Sequence, residues 1–161
     1  MSKEIPKIMD FPENRENPFI PNLIIPKGKK NVVIAKSDKM LMSRESGEVD
    51  EETLFIAAKK EVDKEQFVKI FLSNVQALFD LSKSTLKVFS YLASVAEYGD
   101  RIIFDLERCK EYTSYNSKQT IYRAMAELLN AEVIARTSMN NIFFINPQIF
   151  YKEDRIVLMT E

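Results

Sequence analysis

The 161-residue chain contains no histidine, and this absence excludes more than any other feature of its composition. Without histidine there can be no Ser-His-Asp or Cys-His catalytic site, no histidine general base and none of the usual zinc sites. The histidine metal cluster with which DNA-nicking rolling-circle initiators activate a tyrosine is excluded as well. Any catalysis would have to rest on carboxylates and tyrosines.

Glycine and cysteine are also scarce, with three and one residues respectively. We find no glycine-rich phosphate loop, no metal-ligand spacing and no paired-carboxylate motif, so we expect no enzyme, no cofactor and no metal. A single cysteine, Cys109, cannot form an internal disulfide, which favours a reducing cytoplasm. We expect Cys109 to be a small buried apolar residue rather than a reactive thiol.

Long apolar runs are missing too, since none approaches the ~20 residues that span a bilayer. The N-terminal sequence MSKEIPKIMDF lacks the apolar core of a signal peptide. We therefore expect a cytoplasmic protein with no membrane partner. An apolar fraction of 45% is enough for a folded core, and the length suits one domain with an appendage.

The chain as a whole has no excess of positive or negative charge, since it contains 23 basic and 24 acidic residues. Residues 1–45 are the basic part, with nine basic and six acidic side chains, whereas residues 46–65 carry three and seven. A large basic footprint for nucleic acid is therefore not indicated by charge. DNA binding would have to depend on a few well-placed residues.

The N-terminal region is rich in proline, since five of the six prolines lie within residues 1–26. Because this stretch has no sustained period, it predicts an extended arm over residues 1–30 that lies on a partner or is mobile. The basic run that contains Lys29 and Lys30 is either a solvated linker or a contact with phosphates or a DNA groove.

Residues 31–62 predict a small antiparallel β element, and the stretch after them predicts a helix. Two short apolar runs around a polar turn suggest a hairpin, and residues 53–62 could add a strand or form a helix. Asp63 and Gln66 then resemble a capping box, and apolar residues recur at helical spacing up to Phe79. This predicted helix, residues 63–80, would be part of the core or the seam of a homodimer.

Residues 83–145 predict a characteristic order of elements. The order is a helix capped by a serine, a short strand, a helix capped by Asp105, a helix over residues 117–131, and a hairpin of residues 133–136 and 142–145. Asn140-Asn141 would form its turn, because asparagine tolerates positive φ. This order is typical of the α+β winged helix-turn-helix, which we predict for residues 63–161, with the hairpin as the wing.

The helix over residues 117–131 is the candidate recognition helix. If Ile121 is buried, a step of 100° per residue places Gln119, Arg123 and Ala126 on the opposite face. Glutamine and arginine can contact base edges, and a small Ala126 would permit close approach, whereas Glu127 would repel phosphates. The candidate DNA-binding residues are Ser117, Lys118, Gln119, Thr120, Tyr122, Arg123, Arg136, Asn140, Asn141, Lys29 and Lys30. The alternative is an ordinary polar helix face.

Three stretches carry a resemblance to a known family: SKSTLKVFSYLASVAEYGDRIIFD, SKQTIYRAMAELLNAEVIARTS and IFFINPQIFYKEDR. Together with VDKEQFVKIFLSNVQALFDL they resemble the RepL-type plasmid replication initiators over roughly residues 31–158. Glu153 stands where family members often carry glycine. The resemblance implies a winged-helix protein that binds the double-stranded origin DNA of its replicon without nicking it, and that opens DNA or recruits host replication proteins.

Two other functions remain compatible with the residues. A winged-helix transcriptional regulator would use the same fold and the same DNA contacts. A winged-helix module that binds proteins would explain the even charge balance. The sequence does not separate these functions from replication initiation.

Overall fold

A computed structural model describes residues 6–25 and 68–152, together with Arg155 and Leu158. The predicted β element over residues 31–62 and the candidates Lys29 and Lys30 lie outside these residues. The two long described ranges belong to one compact α+β unit. Among the described residues, no helix is long and apolar enough to span a bilayer, and no acidic or thiol side chains are grouped so that they could hold a metal ion.

Three α-helices form one layer of the unit: α1 (Lys83–Val95), α2 (Leu106–Thr113) and α3 (Lys118–Asn130). Each begins after a residue whose side chain accepts a hydrogen bond from an amide three residues ahead, and these residues are Ser82, Asp105 and Ser117. Such caps satisfy amides that have no partner within the helix. The three helices and the cap by Asp105 confirm the sequence prediction.

The strands form a four-stranded and a two-stranded sheet. The strands are β1 (Glu13–Asn14), β2 (Lys69–Ile70), β3 (Arg101–Ile103), β4 (Ile134–Thr137), β5 (Ile142–Ile145) and β6 (Phe150–Tyr151). The larger sheet has the order β1-β4-β5-β3, with β4 and β3 antiparallel to β5 and β1 parallel to β4. The hairpin of β4 and β5 is the predicted one.

The core lies between the helices and the larger sheet. The apolar stripe of α3 is buried throughout: Ile121, Met125, Leu128 and Leu129. In α1, Val88 and Leu92 are fully buried, whereas Leu86 is 41% exposed. The Phe89 ring meets Phe150 edge to face at 5.1 Å, which links α1 to β6. Cys109 is fully buried, and burial raises its pKa to about 11, as expected of a packing residue rather than a reactive thiol.

The predicted helix over residues 63–80 is wrong where the structure describes it. Lys69 and Ile70 pair with Tyr151 and Phe150 in an antiparallel ladder, and the Phe71 amide donates to the Ile149 carbonyl at 2.9 Å. A 3-10 helix, Val75–Leu78, follows. These residues therefore form a strand despite their helical spacing, because they pair with residues 80 and 82 positions away.

Residues 6–25, which we call the arm, lie on the same unit as the helices. Strand β1 pairs with β4, the Asn17 side chain donates to the Ile145 carbonyl at 2.9 Å, and Leu23 is buried. The arm also contains two 3-10 helices, Ile8–Asp10 and Ile20–Asn22. For these residues, the expectation of an arm that lies on a partner or is mobile is wrong.

The turn between β4 and β5, residues 138–141, differs from the expected one. Positive φ angles among the described residues occur at Gly99, Ser114 and Glu132, and not at Asn140 or Asn141. The Thr137 hydroxyl instead accepts from the Met139 amide at 3.0 Å and contacts the carbonyl of Ile142 at 2.9 Å. A side chain at the end of β4 thus closes a longer turn that needs no left-handed residue.

Candidate nucleic-acid interface

The first half of α3 presents polar side chains to solvent. Lys118, Gln119 and Arg123 are exposed, whereas Ile121 and Met125 on the other side are fully buried. Neither Gln119 nor Arg123 forms a hydrogen bond or an ion pair with any described residue, so their donors remain available. Ser117 and Thr120 complete this end, where the Ser117 hydroxyl accepts from the Thr120 amide at 3.4 Å. The remaining first-turn amides and the helix dipole favour an anion here.

The turn between α2 and α3 fixes the direction in which α3 leaves α2. Ser114 adopts the left-handed conformation with φ of 61°, and the Thr113 hydroxyl donates to the Cys109 carbonyl at 2.6 Å. The Lys87 ammonium lies over the Tyr115 ring at 4.9 Å and donates to the Thr113 carbonyl at 3.4 Å. The cation Lys87 therefore stands beside the start of α3, a position that sequence reasoning missed because α1 reaches this turn only in the folded chain.

Tyr122 is less available than predicted. Its ring lies 6.4 Å from that of Phe104, packs against the core and is only partly exposed. The Lys118 ammonium stands over the same ring, 5.2 Å from its centre. Tyr122 thus restrains Lys118 through a cation–π contact and links the outer side of α3 to the core.

The Glu127 carboxylate is turned to the start of α1. It accepts from the Ser82 amide and hydroxyl, each at 2.8 Å, and from the Thr85 hydroxyl. Partial burial acts to raise the pKa of this carboxyl, but the hydrogen bonds from Thr85 and Ser82, together with the nearby Arg123 charge, hold it below its ordinary value. The expected repulsion of phosphates is therefore offset by donors and the α1 dipole.

Replacing Glu127 with glutamine should lower the free energy of unfolding by about 1 kcal/mol at neutral pH, because charge-assisted hydrogen bonds to Ser82 and Thr85 become neutral ones. The folded pKa is depressed, so the stabilisation is present above the unfolded value of about 4.3 and is lost as pH falls through the folded pKa. Urea unfolding of both proteins at pH 7 and pH 3 should show a gap that narrows in acid. An equal gap at both pH values would contradict the ionic origin.

Ala126 does not lie on the open face of α3. It is 2% exposed, and the arm's 3-10 helix Ile8–Asp10 packs against α3. The helical wheel placed Ala126 correctly relative to Ile121 but could not show that the N-terminal residues return to this helix. Ala126 therefore cannot provide the close approach to DNA that the sequence suggested.

Arg136 is also buried rather than presented on a wing. It is 7% exposed, and its guanidinium donates to the carbonyls of Phe11 and Met9 at 2.7 and 3.3 Å. A third contact is an ion pair with Glu13 at 2.9 Å. The arm occupies the edge of β4 and takes up donors of this side chain, so Arg136, a candidate DNA contact in the hairpin, is not exposed to solvent.

The structure leaves two groups of candidate residues in exposed positions. The first is the start of α3, with Ser117, Lys118, Gln119, Arg123 and the partly exposed Thr120. The second is the hairpin turn, where Asn140 and Asn141 are exposed and the Asn141 carbonyl accepts from the Phe104 amide at 2.8 Å. Helix α3 and the hairpin are consecutive elements of one unit, so both groups are held by one core.

Comparison with known proteins identifies the family. The model of the Firmicute plasmid replication protein (RepL) family matches residues 27–159. A curated protein of Zymomonas mobilis subsp. mobilis, described as a 20.9 kDa protein, is 27% identical over 158 residues, which cover 90% of this chain and 85% of the relative. No solved structure matches significantly. Since the family model covers most of the chain, the chain belongs to the RepL family of Firmicute plasmid replication proteins.

Proposed function

We propose that the described unit is a winged helix-turn-helix that initiates replication of a plasmid or mobile element by binding its origin DNA, without nicking it. The observation that carries the proposal is the first half of α3, where Gln119 and Arg123 are exposed on a helix whose opposite side is buried. Membership of the replication-protein family supplies the biological process. The proposed activity needs no catalytic residue, since it consists of binding to the origin DNA and no bond is cleaved.

The order of the elements supports the winged-helix interpretation. Helix α1, strand β3, helices α2 and α3 and the hairpin follow one another, and β3 closes the sheet against β5. In proteins of this type the second helix of the helix-turn-helix enters the major groove. Here that helix is α3, which leaves α2 through the short turn at Ser114.

Each exposed group has a distinct proposed role. Gln119 and Arg123 would contact base edges, because their paired donors and acceptors match adenine and guanine. Ser117, Lys118, Thr120 and the first amides of α3 would hold a phosphate and set the position of the helix. Asn140 and Asn141 would reach the backbone or the minor groove beside the site. Lys29 and Lys30 remain proposed contacts outside the described residues.

The partners follow from the same interpretation. We propose that the protein acts in the cytoplasm of its host as a homodimer on two half-sites, whose centres would lie about 34 Å apart or a multiple of this. Bound at the origin, it would open DNA or recruit host replication proteins. Footprinting on DNA around its own gene would show the half-site spacing.

The test is a salt titration of the affinity for a duplex taken from the DNA around the gene. A protein that neutralises phosphates should lose affinity steeply as salt rises, with a slope of about −0.9 per phosphate contact in the logarithmic plot. A duplex of the same length and shuffled sequence is the control and should bind more weakly. Absence of affinity for any duplex near the gene would overturn the proposal and favour a protein-interaction module, which the near-neutral charge also suits.

A transcriptional regulator would pass the salt titration, so initiation needs its own experiment. A plasmid that lacks a replicon is given this gene with its flanking DNA and introduced into a host. Establishment of the plasmid is expected for an initiator. Failure to establish, although the folded protein binds the flanking DNA tightly, would favour the regulator.

A further inference from the structure

We infer that the N-terminal arm forms part of the DNA-binding surface and that Arg15 supplies a phosphate contact beside the hairpin turn. This inference rests on the proposed function. The sequence made Arg136 the candidate basic contact of the hairpin, but Arg136 is buried. The inferred contact from Arg15 lies in the arm instead.

Strand β1 extends the hairpin by one strand. It pairs in parallel with β4, with Glu13 opposite Arg136 and Asn14 opposite Thr137. Arg15 follows directly after the end of β1, and Ser138, the first residue of the turn, follows directly after the end of β4. Because paired strands lie about 4.8 Å apart, Arg15 stands next to the base of the turn that carries Asn140 and Asn141.

Polar contacts hold this strand in place. The Arg136 guanidinium donates to the Phe11 carbonyl and pairs with Glu13, while the Asn14 amide group donates to the Arg136 carbonyl at 3.1 Å. On the far side of the bend, the buried Asn17 side chain donates to the Ile145 carbonyl. Arg15 therefore lies between two fixed points, and little conformational freedom of the backbone would be lost on binding DNA.

The charges around Arg15 leave it available. Its side chain is exposed and forms no hydrogen bond or ion pair with any described residue. The charge of Glu13 is offset by Arg136 at 2.9 Å. Glu16 follows Arg15 where the chain bends toward Asn17, and the carboxylate of Asp10, earlier in the arm, accepts from the Lys7 amide at 2.8 Å. Among the described residues, Arg15 is thus a cation without a partner at the edge of the hairpin, which suits the phosphate backbone next to a groove occupied by α3.

The experiment compares Arg15→Ala with the wild-type protein on the footprinted duplex. We expect affinity to fall several-fold, up to roughly tenfold, equally on specific and shuffled duplexes, and the salt slope to fall by about one, as for a lost phosphate contact. Arg15→Lys should retain most of the affinity. Lys69→Ala removes an exposed cation from β2, in the other sheet, and serves as the matched control with wild-type binding.

The outcomes separate this inference from the proposed function. If the wild-type protein binds the duplex and Arg15→Ala binds with the same affinity and salt slope, the arm is not part of the surface and the inference is overturned alone. If the wild-type protein binds no duplex, both the proposed function and this inference are contradicted. Equal losses in Arg15→Ala and Lys69→Ala would show a general charge effect and would also overturn it.

Discussion

Replacing Arg136 with methionine is expected to lower the free energy of unfolding by about 2–4 kcal/mol and to release the arm from β4. Methionine fills a similar volume but cannot donate to the carbonyls of Met9 and Phe11 or pair with Glu13. These contacts join residues more than 120 positions apart, and without them the carbonyls of Met9 and Phe11 lose their side-chain donor. Urea unfolding measures the loss, and hydrogen exchange at residues 6–25 reports the release.

The control for this variant is Glu13→Gln, which keeps a hydrogen-bond acceptor and removes the charge. Because the Glu13 side chain is 55% exposed, its ion pair is screened, and the expected loss is below about 1 kcal/mol. Arg136→Met with wild-type stability and a protected arm would show that Arg136 does not hold the arm. A similar loss in both variants would assign the effect to the ion pair rather than to the carbonyls.

Arg123→Ala is expected to weaken binding to the specific duplex by about 1–3 kcal/mol, or roughly 5-fold to 150-fold, without unfolding the protein. Arg123 is exposed in the first half of α3, where a guanidinium can reach a guanine edge with two donors. Affinity for shuffled DNA should change less, because a base contact discriminates between sequences. Fluorescence anisotropy on the two duplexes gives both values.

Arg123→Lys is the informative companion, since lysine keeps the charge and loses the paired donors. We expect it to retain non-specific affinity and to lose much of the preference for the specific duplex. Since the Arg123 charge also contributes to the low pKa of Glu127, the thermal stability of both variants is measured alongside. Unchanged affinity of Arg123→Ala for the specific duplex would remove this residue from the interface.

The helices and the hairpin could be predicted because their signals are local. Ser82, Asp105 and Ser117 mark helix starts through bonds to amides three residues away, and the buried stripe of α3 repeats with the helical period. The positions of Gln119 and Arg123 follow from that same period. For this part of the candidate site, knowing which face of α3 is buried was enough to predict which side chains are exposed.

The wrong predictions share a different physical origin. Residues 69–70 have helical spacing around them, yet they pair with β6. Arg136 lies in the predicted hairpin, yet the arm covers it. The same arm packs its first 3-10 helix against α3. In each case, the deciding partner is distant in sequence, and no local pattern identifies it.

The sequence by itself determined the helix starts, the hairpin, the buried face of α3 and, through the missing histidine, the exclusion of histidine-based catalysis. Tertiary structure alone decided which cations are available at the proposed interface. The arm buries Arg136, so its charge is not presented to solvent, and the pairing of β1 with β4 places Arg15 beside the turn. The packing of α1 places Lys87 near the start of α3. The physical reason is that the exposure of a charge depends on what packs over it, and here the covering residues come from elsewhere in the chain.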